Sequence, residues 1–331
     1  MARLSVLGAG AWGTALAVHA ARQGHDVILW VRREELATRM VAARENADYL
    51  PGVALGPKVT ITAAVAEAAA PVMLAAVPAQ FLRAALARAA GAVAPDAAVV
   101  ICAKGIERAS GALMSQVVAE ALPGRGIAVL SGPTFAGEVA RTLPTAVTLA
   151  CADSLLGREL VALLGAATFR PYLTDDVIGA QAGGATKNVL AIACGIAAGR
   201  RLGENARAAL ITRGLAEIGR LSASLGGRAE TLMGLSGVGD VVLSCTSASS
   251  RNYALGQALG EGGALAALVG GRRSVAEGVD TAAAVATLSA RLGVDMPIAA
   301  AVNAVLHEGA ELDATIARVL ARPFRPEVGA G

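Results

Sequence analysis

Residues 4–17, LSVLGAGAWGTALA, restrict the fold of this chain more than any other stretch. A short apolar run at 4–7 is followed by glycines at 8, 10 and 13 and an alanine at 17. The spacing predicts strand, tight turn and helix. Gly8 permits the turn, Gly10 lets backbone approach a ligand, and Gly13 lets the helix pack on the strand. The helix N-terminus beyond the turn offers free N–H groups and a partial positive charge, which suits a pyrophosphate. Among 39 glycines such a pattern is weak by itself. Its position ahead of a second apolar strand makes a dinucleotide site the expectation.

That second strand is residues 26–31, DVILWV, entered through Gly24-His25. A strand of this kind that serves NAD usually ends in Asp or Glu, which binds the ribose 2′-hydroxyl. Here it ends in Arg32-Arg33, 24 residues after Gly8. Two guanidinium groups suit a 2′-phosphate, so NADP(H) is expected to be preferred, with NAD(H) possible.

A charged helix over 34–48 and a loop over 51–57 come next. Apolar strands are expected at 72–77, 98–103, 127–130, 146–150 and 167–173, with helices at 80–91, 111–122 and 154–165 between several of them. Near-continuous apolar strands fit a mostly parallel sheet buried on both faces. Ligands sit outside the carboxyl ends of such strands, where the glycine turn, Pro78, Lys104 and the segment Ser131-Gly132-Pro133-Thr134 fall. From about residue 175 the strand pattern stops and helices are expected at 177–199, 205–225, 281–292 and 298–309. The fold class is therefore an α/β N-terminal Rossmann-type domain, residues 1–178, followed by an all-α domain, residues 179–331.

Composition excludes several functions. Only 3% of residues are aromatic, and a net charge of +3 is scattered along the chain, which leaves no basic patch for nucleic acid. Residues 4–21 carry no charge, yet glycines, Trp12, Thr14 and His19 interrupt them, so neither a signal peptide nor membrane insertion is expected. Cys102, Cys151, Cys194 and Cys245 form no CxxC and read as buried thiols of a cytoplasmic protein. The histidines at 19, 25 and 307 have no ligand spacing, so no metal centre is expected.

The second half carries more specific motifs: Gly183-Gly184-Ala185-Thr186-Lys187-Asn188, Glu204-Asn205-Ala206-Arg207, Gly237-Val238-Gly239-Asp240 and Ser250-Arg251-Asn252. Together with GAGAWG, AKG, SGPTFAGE and VAEG, in order and at family-like spacing, they resemble NAD(P)-dependent glycerol-3-phosphate dehydrogenase of the soluble bacterial type. The resemblance implies hydride transfer between a nicotinamide and C2 of dihydroxyacetone phosphate, giving sn-glycerol 3-phosphate for glycerophospholipid synthesis. It makes Lys187 the catalytic acid–base group, and no histidine occurs in any of these motifs to compete for that role. Substrate binding would fall to Lys104, Gly132, Thr134, Lys187, Asp240, Ser250, Arg251 and Asn252, where the hydroxyl, guanidinium and amide of SRN suit a phosphate monoester. Asp240 could accept from a substrate hydroxyl, orient Lys187, or merely cap a helix. Cofactor binding would involve Gly8, Gly10, Ala11, Trp12, Gly13, Arg32, Arg33, Tyr49, Lys104, Ala136, Arg251, Val275 and Glu277. Family members are commonly dimers, so a homodimer is expected.

Two positions depart from the family pattern: Ala11, where a polar residue is common, and Ala79, where serine is common. The nearest alternative is a two-domain β-hydroxyacid or ketopantoate reductase, which shares the glycine turn and a helix-borne lysine. A silent cofactor-binding module would have no use for Lys187, Asp240 and Arg251 together. A short-chain reductase is excluded because no YxxxK occurs.

Overall fold

The computed structural model describes residues 1–270 and 276–323. Ten strands form among them: β1 (Arg3–Leu7), β2 (Asp26–Trp30), β3 (Glu45–Asn46), β4 (Leu50–Ala54), β5 (Val59–Thr62), β6 (Val72–Ala75), β7 (Ala98–Ile101), β8 (Gly126–Ser131), β9 (Thr145–Cys151) and β10 (Phe169–Thr174). Eight build one sheet in the order β10-β9-β8-β7-β6-β1-β2-β5, with every neighbouring pair parallel except β8 and β9. Alternate β1 side chains enter opposite layers, as the pleat dictates. Leu4 and Val6 join Leu16 and Leu29 on one face, while Leu7 joins Trp30, Met73 and Leu86 on the other. Because β1 pairs with β2 on one side and β6 on the other, the strand order reverses at β1, and a crevice opens there at the carboxyl ends.

The sheet is covered by α1 (Ala11–Arg22), α2 (Glu34–Ala43), α3 (Leu82–Ala89), α4 (Met114–Ala121), α5 (Ala136–Ala140) and α6 (Ser154–Leu164). The helix expected over 34–48 stops at Ala43, because Arg44 adopts a left-handed φ of 51°. Its guanidinium donates to the carbonyls of Leu55 (3.0 Å) and Val59 (2.9 Å), drawing the chain back into the β3–β4 hairpin, so β4 replaces much of the expected loop. Within the hairpin, Asn46 donates to Ala9 O (2.9 Å) and Thr14 Oγ1 (2.8 Å) and so braces the glycine turn. Strand β5 at the sheet edge was not anticipated either.

The second half is helical: α7 (Val177–Gly199), α8 (Glu204–Ser224), α9 (Ala229–Leu232), α10 (Asp240–Thr246), α11 (Arg251–Gly260), α12 (Leu265–Val269), α13 (Glu277–Leu292), α14 (Pro297–His307) and α15 (Leu312–Leu320). Asp176 caps α7, its carboxylate accepting from the Gly179 and Arg228 amides at 2.8 Å each. Helix α7 buries 19 of its 23 residues and is the axis of this half, as suits a helix with small or apolar residues on every face. Against it lies α11 with backbones in contact. A Cβ on Gly195 would fall 2.1 Å from Tyr253 O, and one on Gly256 would fall 2.1 Å from Ile192 O. Gly199 and Gly260 repeat the arrangement one turn on, at 2.3 Å from Gln257 O and 2.5 Å from Ile196 O. All four cysteines are buried and free. Among the described residues no cluster of potential metal ligands forms, and no single helix is long and apolar enough to cross a membrane.

Candidate active site

The glycine turn takes the shape that its sequence requires. Gly8 has φ +114°, and a Cβ there would meet Val77 Cγ1 at 2.8 Å. A Cβ on Gly13 would lie 1.9 Å from Gly8 O, so Gly13 serves the packing of α1 on the turn rather than the cleft wall. Gly10 differs, because a Cβ there would stand in open space. It is the N-cap of α1 and supplies no side-chain cap, which leaves the first-turn amides to a ligand. Beside it Trp12 Nε1 is a buried donor with no partner. These features fit the pyrophosphate of a dinucleotide.

A cleft of ≈ 970 Å³ runs from this turn to the helical half. At one end, after β2, Arg32 lies over the Phe81 ring (5.9 Å) and Arg33 over the Tyr49 ring (5.9 Å). Arg33 also donates to Asp48 (3.3 Å) and to the Tyr49 hydroxyl (3.4 Å), and Asp48 accepts from Arg39 at 2.8 Å as well. The strand end therefore has a carboxylate nearby after all. It comes from the turn of the β3–β4 hairpin, where the sequence predicts the end of a helix.

At the other end two of the chain's three lysines converge on one carboxylate. Lys104 Nζ, three residues past β7, donates to Asp240 Oδ2 (2.6 Å) and to Gly132 O (2.7 Å). Lys187 Nζ, in α7, donates to Asp240 Oδ1 (2.9 Å) and Ser244 Oγ (2.7 Å). Asp240 opens α10 after a π-helical turn, Leu235–Gly239, a kind of irregularity common at functional sites. It is the first residue of its helix rather than the cap, and both its oxygens are taken by lysines. Burial alone would push the Asp240 carboxyl up, but Lys104 and Lys187 together hold it below the ordinary carboxylate range. Burial leaves the Lys104 ammonium below the usual lysine range despite that partner. An ammonium carries three N–H donors. Each lysine uses two in these bonds, which leaves one apiece for a ligand in the cleft that both line.

Ser250-Arg251-Asn252 is the N-terminus of α11 rather than a loop. Ser250 is the cap and accepts from the Tyr253 amide, so the segment offers helix-end amides beside the Arg251 guanidinium. Asn252 is held in place, donating to Asn188 Oδ1 (2.9 Å) and accepting from the Gly278 amide (3.0 Å). Asn188 in turn donates to Lys104 O (3.4 Å), which ties the strand ends to both helices. Glu277 begins α13, and burial pushes its carboxyl up against the pull of Arg251, Lys187 and Lys104.

Gly8, Gly10, Ala11, Trp12, Arg32, Arg33, Tyr49, Lys104, Thr134, Ala136, Lys187, Ser250, Arg251, Asn252 and Glu277 all line the cleft. Gly132 and Asp240 stand behind its wall and reach it through the two lysines. Val275 lies outside the described residues. Sequence reasoning gave no role to Ser244 or Asn188. Ser244 follows Asp240 by four residues in α10, and that helical spacing was the available signal. Asn188 directly follows Lys187, and that adjacency was its only signal.

Comparison with known proteins agrees along the whole chain. A family model described as NAD-dependent glycerol-3-phosphate dehydrogenase N-terminus matches residues 3–156, and the corresponding C-terminus model matches residues 176–317. A glycerol-3-phosphate dehydrogenase [NAD(P)+] of Parvibaculum lavamentivorans is 52% identical over 326 residues, 98% of each chain. That of Rhodospirillum rubrum is 55% identical over 328 residues, 98% of this chain and 94% of the other. Among solved structures, glycerol-3-phosphate dehydrogenase from Coxiella burnetii superposes with a TM-score of 0.94 at 37% identity, covering 97% of this chain and 99% of the other.

Proposed function

The chain belongs to the NAD-dependent glycerol-3-phosphate dehydrogenase family, and from that premise we propose that it reduces dihydroxyacetone phosphate reversibly to sn-glycerol 3-phosphate. The observation that carries this reading is Lys187, held between Asp240 and Ser244 on the wall of the cleft that also holds the glycine turn. A nicotinamide cofactor bound on that turn would supply the hydride. Lys187 holds the proton that the carbonyl oxygen needs as it becomes a hydroxyl, and Asp240 and Ser244 fix its Nζ in place. Lys104, anchored on Gly132 O and Asp240, puts a second cation beside the same carboxylate. Arg251 and the α11 amides suit the phosphate, and each hydrogen bond to such a charged group contributes roughly 1.5–3 kcal/mol. The three site cations Lys104, Lys187 and Arg251 outnumber the carboxylates of Asp240 and Glu277, as an anionic substrate favours.

Arg32 and Arg33 support a preference for NADP(H), with NAD(H) usable. We place the division between the dinucleotide-binding and helical domains at residues 178 and 179, where the last sheet strand has given way to α7. A cytoplasmic homodimer feeding glycerophospholipid synthesis completes the proposal, and light scattering on the purified chain tests the dimer. A β-hydroxyacid or ketopantoate reductase is not favoured, since the full-length relatives are glycerol-3-phosphate dehydrogenases. The assay follows NADPH and NADH oxidation with dihydroxyacetone phosphate, unphosphorylated dihydroxyacetone and ketopantoate. Rapid turnover with dihydroxyacetone phosphate alone is the expected result. Turnover with ketopantoate alone would overturn the reading.

A further inference from the structure

We infer that Arg88 of α3 is a specificity-determining residue that recognises the 2′-phosphate of NADP(H), an inference that rests on the cofactor preference proposed above. The cleft end beyond β2 is where a dinucleotide presents its ribose 2′ position. Two cation–ring contacts wall it, with the partners exchanged between them. Arg32 beyond β2 lies over Phe81, while Arg88 of α3 lies over Trp30 of β2 at 5.4 Å. Trp30 ends β2 and Arg32 lies in the bend two residues on, while Phe81 and Arg88 are seven apart on a helical segment. Phe81 and Arg88 therefore share a helix face, and all four residues of the two contacts line one cleft.

Charge separates the three arginines there. Arg33 is committed to Asp48, which Arg39 also holds. Arg32 and Arg88 have no carboxylate partner among the described residues. The ring beneath Arg88 is fixed, because Trp30 is 1% exposed and its Nε1 donates to Ala63 O at 3.0 Å. A guanidinium that lies over a ring and meets no carboxylate keeps its N–H donors for a ligand, and their fork matches a phosphate. Arg88 thus combines an immobile platform with an unneutralised fork, which Arg33 does not. A plainer role, in which Arg88 only shields Trp30, predicts no distinction between the two cofactors.

The test compares the wild-type enzyme with Arg88→Met, which keeps a long side chain over Trp30 but removes the fork, and with Arg88→Lys, which keeps charge alone. Steady-state kinetics with NADPH and NADH are measured together with inhibition by 2′,5′-ADP and by ADP. For Arg88→Met the KM for NADPH and the inhibition constant of 2′,5′-ADP are expected to rise about tenfold, the loss of one charged hydrogen bond. The kcat, the KM for NADH and inhibition by ADP should stay within about twofold, and Arg88→Lys should fall between the two. Equal losses with both cofactors, or no loss with either, would overturn the role of Arg88 while leaving the wild-type preference standing. A wild type whose kcat/KM with NADH equals or exceeds that with NADPH would overturn the cofactor reading itself, and this proposal with it.

Discussion

At the scale of single residues, the site depends on two ammonium groups sharing one buried carboxylate. A buried charge left without its partner typically costs about 3–5 kcal/mol, so the effect of a substitution depends on what stays behind. Lys187→Ala leaves Asp240 paired with Lys104, and the variant is expected to fold. Its turnover should drop by roughly 10²–10⁴-fold, the range for loss of a positioned acid–base group. Its dissociation constant for NADPH should change by less than about twofold, since the glycine turn and strand end are untouched. Stopped-flow turnover and equilibrium titration measure both, and a variant that retains most of its turnover would remove Lys187 from the role. Asp240→Asn is the opposite case, because it leaves two lysines facing a neutral amide.

At the scale of elements, the α7–α11 contact sets the geometry of the chemistry. The two helices meet through Gly195, Gly199, Gly256 and Gly260, and they carry Lys187 and Arg251 respectively. Gly256→Ala would put a methyl 2.1 Å from a backbone carbonyl that cannot yield. It is expected to lower stability by about 2–4 kcal/mol and, in whatever fraction folds, to lower kcat/KM by misplacing the two groups. Urea denaturation and kinetics below the transition test it together. What the sequence revealed follows the same logic. The bounds of α7 matched the expected 177–199 because a mostly apolar segment of that length, broken by no proline, is too long for a strand. The β3–β4 hairpin was missed because its determinants are distant partners of Arg44 and Asn46, which no local pattern displays. Asp48 went unrecognised as a neighbour of the strand-end arginines for the same reason. Asp240 was identified as a site residue, but its occupation by both lysines depends on contacts 136 and 53 residues apart along the chain.

At the scale of the whole molecule, stability should carry the mark of one carboxyl far from the cleft. Glu217 of α8 is 3% exposed and accepts from the Ile298 and Ala299 amides at the start of α14. Burial outweighs those bonds and nearby Arg220, with Asp295 adding to the rise, and pushes its carboxyl to about 7 from an ordinary 4.5. The folded chain then holds a proton that the unfolded chain releases, so stability falls as pH rises from about 4.5 to 7 and levels off above. The change attributable to Glu217 is about 3 kcal/mol. Glu217→Gln should flatten that slope in urea titrations across the range, and an unchanged slope would place the dependence elsewhere.

The tryptophans, finally, give the molecule an optical property of its own. The chain has two, Trp12 beside the glycine turn and Trp30 beneath Arg88, and both line the cleft. Tryptophan emission from this protein, excited beyond the tyrosine band, therefore reports on the cofactor cleft. Tryptophan emission overlaps the absorption of a reduced nicotinamide. Titration with NADPH should quench it by energy transfer, with the nicotinamide brightening in step, while the oxidised cofactor, which lacks that absorption band, produces no such transfer.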